Sequence, residues 1–102
     1  MAIAQGTTPT HTFTLPIDSS LLKTIHISYS QLEPVVFIKK DEDVQKSGNT
    51  VYTKLTQEDT LALNPDELVK IELRMLTHAG DALKSEPVLR SVEECMEKEV
   101  LT

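Results

Sequence analysis

The sequence is poor in cysteine, glycine, aromatic residues and basic charge. It has one cysteine, three glycines, two phenylalanines, two tyrosines and no tryptophan in 102 residues. One cysteine cannot form an internal disulfide, and three dispersed glycines make no phosphate-binding loop. With 10 basic residues against 16 acidic ones, the chain has no basic stripe for nucleic acid or for an anionic membrane. We therefore expect neither nucleic acid nor a membrane among its partners.

The first residues also lack the features of a leader peptide. Positions 1–6 carry no basic region and no long apolar run. No later stretch approaches transmembrane length. Synthesis and folding in the cytoplasm are therefore expected.

What the sequence does contain is a series of short β patterns. Turn residues separate segments that alternate or are continuously apolar, and these segments are 10–15, 22–29, 35–39, 49–55, 69–75 and 82 onward. Residues 35–39 are apolar on both faces, which predicts a central strand. The expected fold class is mainly β: a small six-stranded antiparallel β-sandwich or compact barrel with one or two short helical turns.

Turn and cap signals bound these segments. Thr56 followed by Asp59 predicts the start of a brief helix, and Gly80 predicts a tight turn. Pro87 lacks an amide N–H, so the sixth strand is expected at an edge or with a bulge. Arg90 shares a face with the neighbouring valines, at 88 and 92, which the pattern does not explain.

The two ends of the chain are predicted to differ from the middle. Gly6 and Pro9 disfavour regular structure, so residues 1–9 are expected to form a flexible N-terminal arm and residues 10–102 a single β domain. Ser91 and Glu94 have the spacing of a capping box, which predicts a short helix over 92–101; a continued strand is the alternative. The predicted core residues are Phe13, Ile25, Ile27, Val36, Ile38, Val51, Leu61, Ile71 and Leu73.

No residue pattern points to catalysis, a cofactor or a bound metal. His11, His26 and His78 lack metal-ligand spacing, although His11 and His26 would approach each other if the first two strands paired. Cys95 lies among glutamates that disfavour its thiolate, so it is expected to act as a small buried hydrophobe. We expect no catalytic, cofactor-binding or metal-binding residue, and no enzyme.

Threonines recur on the exposed face of the first strand and in the segment before it. Alternating threonine is common on exposed strand faces. It also suits a segment that pairs with the edge of a neighbour's sheet. The predicted partner-binding residues are Thr7, Thr8, Thr10 and Thr12, and the expected partners are other protein subunits, in a homo-oligomer or as structural proteins of a larger assembly.

Several stretches resemble a known group of proteins. The chain resembles small uncharacterised proteins of Gram-positive gut bacteria and their prophages in GTTPTHTF (6–13), LP (15–16), YSQ (29–31), LTQEDTL (55–61) and the hairpin at 69–85. More loosely, it resembles the N-terminal β-sandwich of phage baseplate upper proteins, in which a hairpin with a central glycine lies near the end. Pro87 and Arg90 depart from the plain strand residues of that pattern.

The resemblance implies a phage-derived protein. Its expected function is that of a non-enzymatic accessory structural protein of a phage particle (tail, baseplate or head), which is made in the host bacterial cytoplasm and acts by protein–protein assembly in the virion. The alternative is a small acidic phage-encoded adaptor or inhibitor that binds a host protein, and this function would need acids clustered on one face. The acids are spread over 41–43, 58–59, 66–67 and 93–99, which favours the structural role.

Overall fold

Ten β-strands and one short α-helix form the described part of the chain, residues 2–32 and 35–102 of a computed structural model. The strands, in chain order, are β1 (Ile3–Ala4), β2 (Thr10–Thr14), β3 (Leu22–Ser30), β4 (Val35–Lys39), β5 (Gln45–Ser47), β6 (Thr50–Lys54), β7 (Val69–Thr77), β8 (Ala82–Lys84), β9 (Val88–Arg90) and β10 (Val92–Glu93). Helix α1 spans Gln57–Leu61, and 3-10 turns lie at Ser19–Leu21 and Asp41–Asp43.

The strands are arranged in three sheets. The largest has the order β4-β3-β7-β8, and β9 also pairs with β7. A second sheet has the order β2-β6-β5, and β1 and β10 form a parallel two-stranded ladder. The two larger sheets share one hydrophobic core between them. The predicted class, a mainly β fold with a small antiparallel sandwich, is confirmed.

Alternating residues of the two longest strands supply most of the core. β3 and β7 pair antiparallel along almost their whole length. Their buried side chains are Ile25, Ile27, Tyr29, Val69, Ile71, Leu73 and Met75. Val51 of β6 and Leu15 after β2 pack into the same cluster from the second sheet. Each buried aliphatic side chain is worth about 1.5–3 kcal/mol, so this layer dominates the stability.

The local signals for turns and caps are confirmed. The Thr56 hydroxyl accepts from the Asp59 amide at 3.0 Å, and the Asp59 carboxylate accepts from the Thr56 amide at 2.9 Å, which completes a capping box at the start of α1. Gly80 turns the chain after β7 at φ +95°. Pro87 divides the predicted sixth strand into β8 and β9.

The predicted central position of the third strand is wrong. β4 lies at the edge of the largest sheet, because β3 pairs with β4 on one side and with β7 on the other. Val36 and Phe37 pack against the core, whereas Val35 and Ile38 are 47% and 41% exposed. Ile38 is therefore not a core residue. Of the other predicted core residues, Phe13, Val36 and Leu61 are only half-buried.

The segment predicted as a flexible arm is part of the fold in its described residues; Met1 lies outside them. Ile3 is only 3% exposed, and its amide donates to the Ser91 carbonyl at 2.8 Å. The Gln5 side chain is buried, donates to the Leu63 carbonyl at 2.6 Å and accepts from the Cys95 amide at 3.2 Å. These bonds fix residues 3–5 against the C-terminal segment.

The predicted C-terminal helix is wrong, and the alternative of a strand holds only for its first residues. Val92 and Glu93 pair in parallel with β1, and Val92 is 7% exposed. The ladder with β1 provides hydrogen-bond partners for the backbone N–H and C=O groups at Val92 and Glu93, so these residues do not need a helix to pair them. Farther along the predicted helix, Met96 and Val100 are 103% and 42% exposed. Among the described residues, no helix is both long and apolar enough to cross a bilayer.

Candidate binding edge and groove

β2 is an edge strand with two different faces. Among the described strands it pairs with β6 alone, in an antiparallel register that places Thr12 opposite Tyr52. His11 and Phe13 are half-buried on the core side. The opposite face presents three exposed threonines, Thr10, Thr12 and Thr14. The alternation of faces predicted for this segment is therefore confirmed.

The backbone groups of β2 alternate in the same way. The Leu15 amide donates to the Asn49 carbonyl at 2.6 Å, and the Leu55 amide donates to the Pro9 carbonyl at 2.9 Å. In an antiparallel ladder, residues that bond across the pair alternate with residues that do not. The odd-numbered residues of β2 therefore bond to β6. The N–H and C=O groups of three residues face away from β6: Thr10, Thr12 and Thr14.

A groove runs along this edge, between β2 and the strands β8 and β9. It holds about 480 Å³ beside residues 12–16 and about 210 Å³ where it continues beside Thr10 and His11. Its apolar lining includes Phe13 on β2, Leu73 and Met75 on β7, Leu83 on β8 and Val88 on β9. An extended segment placed there would meet unpaired backbone groups at its side and apolar side chains beneath it.

The opposite edge of the groove is interrupted. β8 ends at Lys84 and β9 begins at Val88, with Pro87 between them, as the sequence predicted for an edge or bulge. At the break, the Ser85 amide donates to the Leu73 carbonyl at 2.9 Å, and the Ser85 hydroxyl accepts from the Leu73 amide at 3.0 Å. A side chain thus replaces a ladder carbonyl, which ends the regular pairing of β8.

Two charged residues line the groove without an ion pair among the described residues, namely Arg90 and Glu86. Arg90 also borders the part beside Thr10 and His11, whereas Glu86 borders only the part beside residues 12–16. Val88 and Arg90 share a face of β9 because they are two residues apart on a strand, and this face lines the open groove, where a charged side chain reaches water. This accounts for a pattern that the sequence alone left unexplained.

His11 connects the groove to an aromatic stack in the core. Its Nδ1 lies 2.7 Å from the Tyr29 hydroxyl, and its ring stacks on Tyr29 with centroids 5.7 Å apart. Tyr29 stacks in turn on Phe37, with ring centroids 4.5 Å apart.

The surroundings of this stack shift the pKa values of His11 and Tyr29. Burial, and secondly the charge of Arg90, lower the pKa of His11. Burial, and secondly the charge of Asp59, raise the pKa of Tyr29 well above its usual range. Both groups are therefore held neutral near pH 7.

A partly buried ion pair lies near the Thr10 end of β2. Lys39 Nζ is 2.5 Å from Asp59 Oδ2, and the two side chains are 11% and 17% exposed. Partial burial acts to raise the pKa of Asp59, but the hydrogen bond and charge of Lys39 and the Thr56 amide hold it below its usual value. This pair connects β4 to the start of α1, so Asp59 serves the fold.

The remaining titratable residues are dispersed. No group of three or more His, Cys, Asp or Glu among the described residues could hold a metal ion. His11 and His26 lie in different sheets, because β2 pairs with β6 and not with β3. Cys95 is half-buried, and its thiol donates to the Glu97 carbonyl at 2.8 Å.

The four residues predicted to bind a partner fall into two pairs. Thr10 and Thr12 lie on the β2 edge. Thr7 and Thr8 are exposed in the segment before it, and the Thr7 hydroxyl donates to the Ala4 carbonyl at 2.6 Å. The sequence placed these threonines on an exposed face, but it predicted an edge only for the sixth strand and not for β2. It missed the groove, because the groove depends on strands that are distant in sequence.

No protein-family model matches the chain, and no curated protein matches it. Among solved structures, the chain is similar to the V domain of amphioxus IgVJ-C2, with 16% sequence identity and a TM-score of 0.36. The match covers 91% of this chain and 99% of that chain. At this TM-score the likeness adds nothing to the fold, which rests on the sheet topology described above.

Proposed function

We propose that this chain is a non-enzymatic assembly domain that binds another protein by strand addition at the β2 edge. The observation that carries the proposal is the row of backbone N–H and C=O groups that face away from β6, those of Thr10, Thr12 and Thr14. Such a row is a template for another strand, whose main-chain hydrogen bonds supply affinity. Alternate side chains of the added strand would enter the apolar groove.

The groove gives this edge a second source of binding energy. Phe13 and Val88 are only half-buried, although both pack against the core. A strand laid against β2 would remove part of their remaining surface from water, at about 25 cal/mol per Å² of apolar area. Backbone pairing and apolar burial would therefore act together at one place.

For the biological setting, we propose an accessory structural component of a phage particle. The support for this setting is the resemblance of the sequence to prophage-encoded proteins of Gram-positive gut bacteria. A small domain with an edge suited to strand addition agrees with such a role. The predicted contribution of Thr7 and Thr8 to partner binding stays part of the proposal.

The alternative, an acidic adaptor that binds a host protein, has less support. Several of the acids serve the fold: Asp59 pairs with Lys39, and the Asp41 carboxylate accepts from the Ile25 amide at 2.8 Å. Glu72 is in an ion pair with Lys84 at 3.3 Å. These carboxylates are committed to internal contacts, which leaves fewer of them to imitate a charged ligand.

The test compares a proline at each edge of the groove. Thr12→Pro removes an N–H that the fold does not use. Lys84→Pro is the matched control, because Leu83 and Ser85 provide the bonds from β8 to β7 and the Lys84 amide also faces outward. Sedimentation of the purified chain, and immunoblotting of particles purified from an induced host, measure assembly.

We expect wild type and Lys84→Pro to assemble and Thr12→Pro to lose assembly several-fold while keeping its circular dichroism spectrum. A folded Thr12→Pro protein that assembles as well as wild type in both measurements would contradict the proposal. So would a wild-type chain that stays monomeric and is excluded from particles.

A further inference from the structure

We infer that the strand added to β2 is β2 of a second copy of this chain, in an antiparallel pair centred on Thr12. The inference rests on the proposed function and names the occupant of the edge. It follows from three properties of the edge, namely its register, its inner face and the charges at its ends.

The register of the edge is self-complementary. An antiparallel pair about a two-fold axis at Thr12 places Thr12 opposite Thr12 of the second copy, and Thr10 opposite Thr14. These are the residues whose backbone groups face outward. Residues whose groups point at each other exchange both N–H···O bonds, so every outward group of the strand finds a partner. A register displaced by one residue would set outward groups against inward ones.

The inner face of the pair is also complementary. On that face, Phe13 of each copy would lie beside His11 of the other copy. Both side chains are half-buried in one copy. Aromatic cross-strand pairs of this kind are among the favourable ones. Because burial and Arg90 hold the pKa of His11 down, the ring enters this contact uncharged.

The charges at the ends of the groove match after the two-fold rotation. Arg90 borders both parts of the groove and is the charged residue at its Thr10 end, whereas Glu86 borders it only beside residues 12–16. Rotation about Thr12 brings the Thr10 end of one copy to the Thr14 end of the other. Arg90 then approaches Glu86 of the second copy, and neither residue has an ion pair of its own among the described residues. The strand between them carries only threonine, histidine and phenylalanine.

Cysteine cross-linking tests the register directly. In a Cys95→Ala background, single cysteines are placed by Thr12→Cys, Thr10→Cys and Thr14→Cys, with Val35→Cys on β4 and Ser47→Cys on β5 as controls at the other edges. Paired residues in an antiparallel ladder have Cα atoms about 5.5 Å apart, within the range that a disulfide spans. The purified proteins are oxidised mildly and the dimer is quantified on non-reducing gels.

We expect Thr12→Cys to form several-fold more disulfide dimer than either control. Thr10→Cys and Thr14→Cys should each cross-link poorly alone and well when mixed, because their positions face each other. Equal yields at all positions, or greater yields at the β4 or β5 edge, would overturn the inference. Such yields would overturn self-pairing of β2 but would leave the proposed strand addition at the β2 edge intact. Thr12→Pro tests strand addition separately, with particles as well as with the purified chain.

Charge reversal provides an independent test. Arg90→Glu and Glu86→Arg should each shift the dimer towards monomer by several-fold, and the double variant should recover most of the association. Sedimentation equilibrium of the three variants measures this. Additive losses in the double variant would contradict the two-fold arrangement.

Discussion

The two edges that border the groove differ in the features that control strand addition. β2 has five consecutive residues in regular pairing, and its exposed face carries only threonine. The facing edge consists of two strands of three residues, separated at Pro87 and carrying Lys84 and Arg90. Short, charged and proline-containing edges resist pairing with other chains. The comparison indicates that one edge is protected from strand addition and the other is open to it.

The two remaining edges fall between these extremes. β5 has three exposed residues and offers little length for pairing. β4 is five residues long, but it ends at Lys39, which is held by Asp59. Val35 and Ile38 give β4 more exposed apolar surface than β2 has on its threonine face. Exposed apolar surface and a regular row of outward backbone groups are therefore separate properties, and the proposal depends on the second.

The largest expected effect comes from a proline on the inward-facing side of β2. Phe13→Pro removes the N–H that bonds to Val51 and leaves a β6 carbonyl unpaired, so it should lower the free energy of unfolding by about 1–3 kcal/mol more than Phe13→Ala does. Thr12→Pro removes an outward N–H and should cost much less. Urea unfolding of the three variants measures this, and equal costs for the two prolines would show that the assigned direction of the backbone groups is wrong.

A smaller effect is expected at the protected edge. Ser85→Ala removes the hydroxyl that accepts from the Leu73 amide at 3.0 Å, and a lost hydrogen bond of this kind costs about 0.5–1.5 kcal/mol. Ser47→Ala, on β5, is the control and should be close to neutral. If Ser85→Ala is as neutral as the control, the side chain does not hold the break between β8 and β9 in place.

The smallest effect concerns pH. The pKa of His11 in the folded chain lies below its usual 6.5 because of burial, with Arg90 adding to the effect. The unfolded chain then binds this proton more readily, so stability is complete above pH 6.5 and falls as the pH drops below it, until the folded pKa is passed. His11→Gln should flatten the pH dependence in this window. An unchanged slope in thermal unfolding between the two proteins would contradict this.

Local features of the fold could be predicted from the sequence because neighbouring residues determine them. The alternation at His11 and Phe13 placed the faces of β2 correctly. Thr56 and Asp59 marked the start of α1, and Pro87 marked a break at an edge. Each of these signals acts over a few residues, through side-chain direction, a cap hydrogen bond or a missing N–H.

The errors arose where distant parts of the chain pair. Ile3 and Val92 are 3% and 7% exposed because β1 and β10 bury each other, and this pairing overrode both the expected arm and the capping-box signal at Ser91. The position of β4 depends on which strands flank β3, which periodicity does not reveal. For the candidate site, the sequence predicted the exposed threonine face but neither the edge position of β2 nor the groove, because both depend on how distant strands pair and pack.

Amide hydrogen exchange along β2, measured by NMR at low and at high protein concentration, tests the central claim most directly. In the dilute monomer, the amides of His11 and Phe13 should be protected by β6, whereas those of Thr12 and Thr14 should exchange quickly. On assembly, the Thr12 and Thr14 amides should become protected, and outward amides of the β8 edge, such as that of Lys84, should not. Assembly that leaves the Thr12 and Thr14 amides exchanging as quickly as before would contradict strand addition at β2.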